Sequence, residues 1–362
     1  MAEKLLKVRI ADIAARAQVS PGTVDRVIHN RGEVAVKTRE KILKIIQELN
    51  YEPDILASTL ASKKTFSFAS LIPEAGAGSQ FWALPAAGLE KAINQVKHFG
   101  VFHKTFNFQY FDRNSFVRAA KELLQTKPDG VIFAPVFSDL AGHFVSQCHE
   151  WNIPVVLINS NILNASKLSF VGQDSFRSGM VAARLLHYGL PQGAKFMVVN
   201  FMTEMGTNMH LMSREEGFRN YFAYFPEREK YLQSLNIVGN DTKNIHDNLR
   251  KALTTKNSEP AVKGVFVTNS RVYQVAGFLK MNGINNVRLI GYDLLDENAD
   301  HLQNNIIDFL ISQKPFEQGF RSFMTLFDAL VLKKNVPEYQ YLPIDIISRE
   351  NIDYYINNQT YD

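Results

Sequence analysis

Cysteine is nearly absent: Cys148 stands alone among 362 residues, so no intramolecular disulfide can form, and no Cys and His cluster has metal-ligand spacing. That usage fits a reducing compartment. Long apolar runs are missing too. A stretch such as Val131–Phe137 is far too short to span a bilayer, which takes about 20 residues. The opening MAEKLLKVRIADIAARA lacks the unbroken apolar core and small-residue cleavage site of a secretory signal. A soluble, cytoplasmic protein with no membrane partner is expected. There is no low-complexity tract, and the 46% hydrophobic and 21% charged fractions are those of a chain that folds throughout. Catalytic signatures are missing as well. No nucleophile elbow appears, and the small-residue segment Ala75–Ser79 is followed by Gln-Phe-Trp rather than the Gly-Lys-Ser/Thr of a phosphate loop. The sequence implies no enzyme, no cofactor and no metal.

Charge is present but unevenly placed. Residues 1–64 hold 12 Lys and Arg against 8 Asp and Glu, and residues 65–362 hold 28 against 28, so the whole +4 excess lies in the first sixth of the chain. A basic end on a neutral body is the footprint of a protein that grips a polyanion at one end. The length exceeds what one core usually serves, so several domains are expected.

Within that basic segment, Ile10, Ile13, Ala14 and Ala17 have helical spacing, and Gln18-Val19-Ser20 breaks it. Ser20 is a favourable N-cap and Pro21 a favourable first helical residue, because neither position needs an intrahelical N–H partner. The second helix would turn Val24, Val27 and Ile28 inward and leave Thr23, Arg26 and His29 on another face. After the Asn30-Arg31-Gly32 turn, Ile42, Leu43, Ile45, Ile46 and Leu49 mark a third amphipathic helix ending near Asn50. This spacing fits a helix-turn-helix domain or a plain helical hairpin.

The segment ADIAARAQVSPGTVDRVIHNRGEVAVKTREKILKIIQELNYEP resembles the DNA-binding head of the LacI/GalR family of transcription regulators, and ILASTLASKKT resembles its hinge. The resemblance implies a homodimer on a near-palindromic operator, with Ser20, Gly22, Thr23, Arg26, His29 and Arg31 touching phosphates and bases. Arg offers two donors in a plane matching the edge of guanine; the plainer alternative is that Arg26 and Arg31 are solvated surface charges. In the hinge, Leu60 falls where family members wedge a leucine between base steps of the minor groove, the alternative being a packing residue between domains. The chain departs from the family at Pro21 and Gly22, where long polar side chains usually read bases, at Asp25 in place of a serine, and at Ser58 in place of an arginine. The operator cannot be read from this helix, and DNA shape is expected to share the discrimination.

From Phe66 on, apolar runs such as FSFASLI, GVIFAPV, VVLIN, FMVVNF, GVFVTN and VRLIGYD alternate with helical stretches, which argues for parallel, doubly wound sheets in two series. PDGVIFAP, SFVGQDSFRSG, SREEGF, VFVTNS, LIGYD and ISQKPFEQG resemble the periplasmic-binding-protein-like sensor of the same regulators and of ribose-binding proteins. The expected architecture is therefore an all-α three-helix head (1–52), a hinge helix (53–64) and a type I α/β sensor (65–362) of two doubly wound parallel sheets. Its N-lobe would take 65–174 and 313–345, its C-lobe 175–312 and 346–362. By position, the resemblance assigns the ligand to Phe81, Trp82, Asp112, Asn159, Asp174, Arg214, Asn269, Asp293 and Gln313. Carboxylates, amides and an aromatic face suit a hydroxyl-rich sugar. Taken singly, an Asp at a strand end more often caps a helix, and a Trp in a loop more often packs. Arg113 and Arg177 leave a sugar acid open. The rival to a regulator is a sugar-binding carrier, for which the body alone would serve.

Overall fold

A computed structural model describes residues 8–28, 31–49, 51, 64–76, 78–191, 193–203, 209–225, 232–254 and 261–357. The chain divides into two compact units, Met1–Ala61 and Ser62–Asp362. The expected hinge helix, with Leu60, falls outside the described residues.

In the first unit, helices α1 (Ile10–Ala17), α2 (Pro21–Ile28) and α3 (Val36–Glu48) enclose a small core of Ile13, Ala14, Ala17, Val24, Val27, Ile42 and Ile45. The turn between α1 and α2 works because Gln18 adopts a left-handed conformation (φ 58°) and closes α1 through its N–H to the Ala14 and Ala15 carbonyls. Ser20 then starts α2: its Oγ accepts from the Thr23 N–H at 3.2 Å. Leu43, expected on the buried stripe of α3, is instead 47% exposed, because α3 meets its two short neighbours only along the Ile42, Ile45, Ile46 and Leu49 side.

The second unit holds two six-stranded sheets. The first runs β11 (Tyr339–Leu342), β5 (Ser169–Gln173), β4 (Val155–Ile158), β3 (Gly130–Phe133), β1 (Phe66–Pro73), β2 (Val101–Phe108). The second runs β12 (Asp345–Ile347), β10 (Phe309–Ser312), β9 (Arg288–Tyr292), β8 (Val262–Val267), β6 (Lys195–Met202), β7 (Leu232–Val238). Strands β3 and β4 are buried at every residue, as sheets covered by helices on both faces require. The chain passes between the lobes after β5, after β10 and between β11 and β12.

Every pairing is parallel except β10 with β12, which is antiparallel. The fully parallel expectation is corrected at this edge for a topological reason. Strand β11 leaves the first sheet at its carboxyl end and, two residues later, the chain enters the second sheet as β12. The carboxyl ends of the two sheets face each other, so a strand that continues straight across must oppose its new neighbours.

Two helix pairs pack backbone to backbone. In the C-lobe, α7 (Ser175–Gly189) crosses α8 (Met209–Ala223) so closely that a Cβ at Gly179 would stand 1.9 Å from the Arg214 carbonyl oxygen, and one at Gly217 the same distance from that of Phe176. In the N-lobe, α4 (Ala83–Val96) and α12 (Pro315–Leu326) repeat the arrangement, with Gly88 against the Phe316 carbonyl and Gly319 against that of Pro85, both at 2.0 Å. These glycines are required for close approach.

Candidate ligand cleft and nucleic-acid interface

The facing carboxyl ends of the strands leave a narrow cleft with a cavity volume of about 40 Å³. Loop residues following the strands line it, as expected for open α/β sheets. From the N-lobe come Phe81 and Trp82, on a 3-10 turn at Gln80–Trp82, with Tyr110, Asn159 and Ser160; from the C-lobe come His210, Arg214, Asn269 and Arg271. Gln313 enters from the second crossing. The rings of Phe81 and Trp82 meet edge to face at 5.2 Å and are both nearly buried, so the aromatic wall of the cleft is also part of the N-lobe core.

Arg214 is the most deeply set polar group, 1% exposed on α8. Its Nη1 donates to the Thr268 carbonyl at 2.6 Å and its Nη2 to Gln313 Oε1, while the guanidinium carbon lies 3.8 Å from the Tyr292 ring centroid. Burial lowers its proton affinity, and Tyr292 and Asp293 act in the opposite sense; with an ordinary value this far above neutrality it stays charged. Its Nε has no partner. Gln313 Oε1 also accepts from Asn159 Nδ2 at 3.1 Å, and Gln313 donates its backbone N–H to Asp293 Oδ1 at 3.0 Å and its Nε2 to Oδ2 at 2.5 Å. Burial pushes the Asp293 carboxyl up to about 6, against the hydrogen bonds from Gln313 that favour its charged form.

Across the mouth, Ser160 Oγ and His210 Nδ1 share a hydrogen bond of 2.6 Å. Burial, reinforced by Arg214, holds the His210 imidazole well below its ordinary value and therefore neutral. Gly78, at φ +79°, comes close enough to Asn240 that a Cβ would stand 3.0 Å from the amide oxygen. The lobes thus touch on both sides of the cleft, and this is a closed geometry.

Of the residues expected to hold a ligand, the cleft brings together Phe81, Trp82, Asn159, Arg214, Asn269 and Gln313. Asn269 is braced by its neighbours: Nδ2 donates to the Phe201 carbonyl at 2.9 Å and Oδ1 accepts from the Arg271 N–H at 3.1 Å. Asp293 stands behind Gln313 rather than on the cleft surface. Asp112 and Asp174 are helix caps, accepting from the Asn114 and Arg177 N–H groups at 2.8 and 2.9 Å. Asp112 also pairs with Arg118 at 3.6 Å and Asp174 with Arg177 at 3.4 Å. Neither aspartate is among the cleft-lining side chains, nor are Arg113, bound to Asp139, or Arg177. Sequence reasoning missed Tyr110, Ser160, His210 and Arg271. For Tyr110, Ser160 and Arg271 the signal was their place just beyond strands β2, β4 and β8, and for His210 its place at the start of α8; Tyr110 lies two residues before Asp112, and Arg271 two beyond Asn269.

In the head, Ser20 Oγ and Thr23 Oγ1 lie 3.0 Å apart at the start of α2. Gly22 and Arg26 are exposed on α2, and the exposed Arg31 is tied back through its N–H to the Arg26 carbonyl at 2.8 Å. A Cβ at Gly22 would meet nothing closer than 3.8 Å, so its missing side chain leaves backbone accessible. His29 lies outside the described residues. Among the described residues no helix is long and apolar enough to cross a membrane.

Residues 9–54 match the model of bacterial regulatory proteins, lacI family, and residues 70–334 that of the periplasmic binding protein domain. A crystal structure of a putative LacI transcriptional regulator from Bacteroides fragilis is 32% identical, covers 81% of this chain and 100% of its own, and superposes with a TM-score of 0.71. Catabolite control protein A of Staphylococcus epidermidis is 24% identical over 79% of this chain and 84% of its own. A glucose-galactose binding protein from Geobacillus stearothermophilus shares the fold, with 21% identity, a TM-score of 0.68 and coverage of 80% of this chain and 99% of that one. A matched head, a matched sensor and a regulator 32% identical over 81% of this chain place the chain in the LacI family of bacterial transcription regulators.

Proposed function

We propose that this protein is a sequence-specific repressor whose operator affinity is set by a sugar or sugar-derived ligand held between the lobes of its sensor. The observation that carries this reading is the joining, in one chain, of a basic helix-turn-helix head to a two-lobed domain whose strand ends converge on a polar cleft. Arg26 and Arg31 would supply cationic donors, with the backbone at Gly22 close to the DNA and Leu60 wedged into the minor groove. Two copies would read a near-palindromic site. A ligand that holds the lobes closed would alter the hinge and hence the DNA affinity, by differential binding to the two states. The cleft side chains suit hydroxyl groups: Asn159, Asn269 and Gln313 both donate and accept, and the Phe81–Trp82 wall suits the apolar face of a ring. A cytoplasmic site of action follows from DNA as partner.

The basic head separates this reading from a sugar carrier. Removing residues 1–64 should abolish salt-sensitive DNA binding and leave ligand-induced thermal stabilisation intact. Operator binding by residues 65–362 alone, at an affinity near that of the full chain, would refute the division of labour.

A further inference from the structure

The two cleft arginines differ in how their charge is met. Arg214 has a carboxylate nearby, since Asp293 and Arg214 share Gln313 as an intermediary. Arg271 is 3% exposed and has no such counterpart among the described residues. Its Nη1 donates to the Gly239 carbonyl at 3.1 Å and its Nη2 to Asn240 Oδ1 at 2.9 Å, both neutral acceptors. The guanidinium lies over the Phe201 ring at 4.6 Å and near the Phe111 ring at 5.7 Å. Besides burial, which lowers its proton affinity, only Tyr273 and Tyr110 act on it, and a tyrosine is neutral at ordinary pH. Its Nε is buried and has no hydrogen-bond partner. No carboxylate is among the described residues lining the cleft, and its one histidine, His210, is neutral.

A buried guanidinium surrounded by neutral groups is costly to desolvate, and a counter-ion placed beside it recovers the cost. We infer that the ligand is an anionic sugar, a sugar acid or a sugar phosphate, whose oxyanion is received by Arg271 while Arg214, Asn159 and Gln313 take its hydroxyl groups. This rests on the sugar-responsive reading above and narrows it. Arg271 also joins the lobes, being carried by the C-lobe and stacked toward Phe111 of the N-lobe, so an anion there would hold the cleft closed.

The test titrates the full-length protein by calorimetry and thermal shift with matched hexoses, hexuronates and hexose phosphates in the gluco, galacto and manno configurations. An acid should bind at least ten-fold more tightly than its neutral counterpart and weaken with added salt; the carboxylate and phosphate arms show which oxyanion is recognised. Arg271→Gln should lose at least ten-fold in affinity for that acid, Arg271→Lys should lose less, and the unliganded Tm of Arg271→Gln should match or exceed that of the wild type. A neutral hexose bound as tightly as its acid, with no change in Arg271→Gln, would overturn the anionic assignment and leave the sugar-responsive regulator standing. No binding by any of the sugars, in a protein that still binds DNA, would overturn both.

Discussion

Asn159 and Asp293 hold the same station in opposite lobes. Each follows the last residue of a central strand, Ile158 of β4 or Tyr292 of β9, and each is left-handed, with φ of 69° and 62°. Each donates its backbone N–H to the neighbouring strand, to the Val171 carbonyl at 3.1 Å and the Ile311 carbonyl at 3.0 Å. Each also bonds Gln313, on the crossing between the lobes. Such conformations cost a non-glycine residue on the order of 1 kcal/mol, and here they turn two side chains toward one shared partner. Gln313 is thus the joint at which the lobes and the cleft are connected.

Gln313→Ala should therefore do more than remove a ligand contact. It strips partners from Arg214, Asp293 and Asn159 together, and leaving buried charges short of hydrogen bonds costs on the order of 3–5 kcal/mol. Denaturant unfolding of the unliganded protein should register a loss of that size. Gln313→Glu should keep part of the network, because a carboxylate oxygen can still accept from Arg214 and Asn159, but it loses the Nε2 donor and places a second carboxylate against Asp293.

Asp293 should make stability depend on pH in an unusual direction. Its folded carboxyl titrates at about 6, above its ordinary 3.8, so between those values the folded state binds more protons than the unfolded one and stability falls as pH rises. The loss should level off once pH has risen past the folded value of about 6, and be on the order of 3 kcal/mol. Burial holds the His103 imidazole down at about 4; its contribution has the opposite slope, being lost as pH falls toward 4. Comparing wild type with Asp293→Asn cancels the histidine. The difference in unfolding free energy between the two proteins should change across pH 4–6, and a difference independent of pH would contradict the assignment.

How much of this was legible in the sequence depends on what each residue buries. GVIF and VVLI read as strands because they are apolar on both faces, and the structure buries every one of those residues. Helix α8 has a weaker pattern, since its inward face carries Arg214 between Leu211 and Phe218, and a charge on the buried side breaks the apolar stripe. The resemblance assigns Asp112 and Asp174 to the ligand by position, and in the structure each caps a helix, the role that an Asp at a strand end more often has. Arg271 carried no apolar signal, and only the folded chain reveals that its charge lies beneath Phe111 and Phe201.

Two glycines provide a matched test of packing. Gly179→Ala would drive a methyl group into the Arg214 carbonyl, so α7 and α8 must separate, at a cost on the order of 1–3 kcal/mol. Because Arg214 would move with its backbone, ligand affinity should fall as well. Gly142, within the helix Ser138–Glu150, has nothing within 4 Å of its added carbon; Gly142→Ala should stabilise by about 0.5–1 kcal/mol. Thermal unfolding of the two variants should shift in opposite directions, with ligand titrations changed only in the first.

The coupling between cleft and head is tested most directly by operator affinity with and without saturating ligand, using an operator selected from random duplexes and the acidic sugar that stabilises the protein best. In the wild type the ligand should change operator affinity about 5- to 150-fold, the usual span of an allosteric coupling of 1–3 kcal/mol. Arg214→Ala should bind the same operator as tightly as unliganded wild type and show no response at that ligand concentration, having lost its affinity for the ligand by about 2–4 kcal/mol. An operator affinity in the wild type that is the same with and without bound ligand would contradict the account.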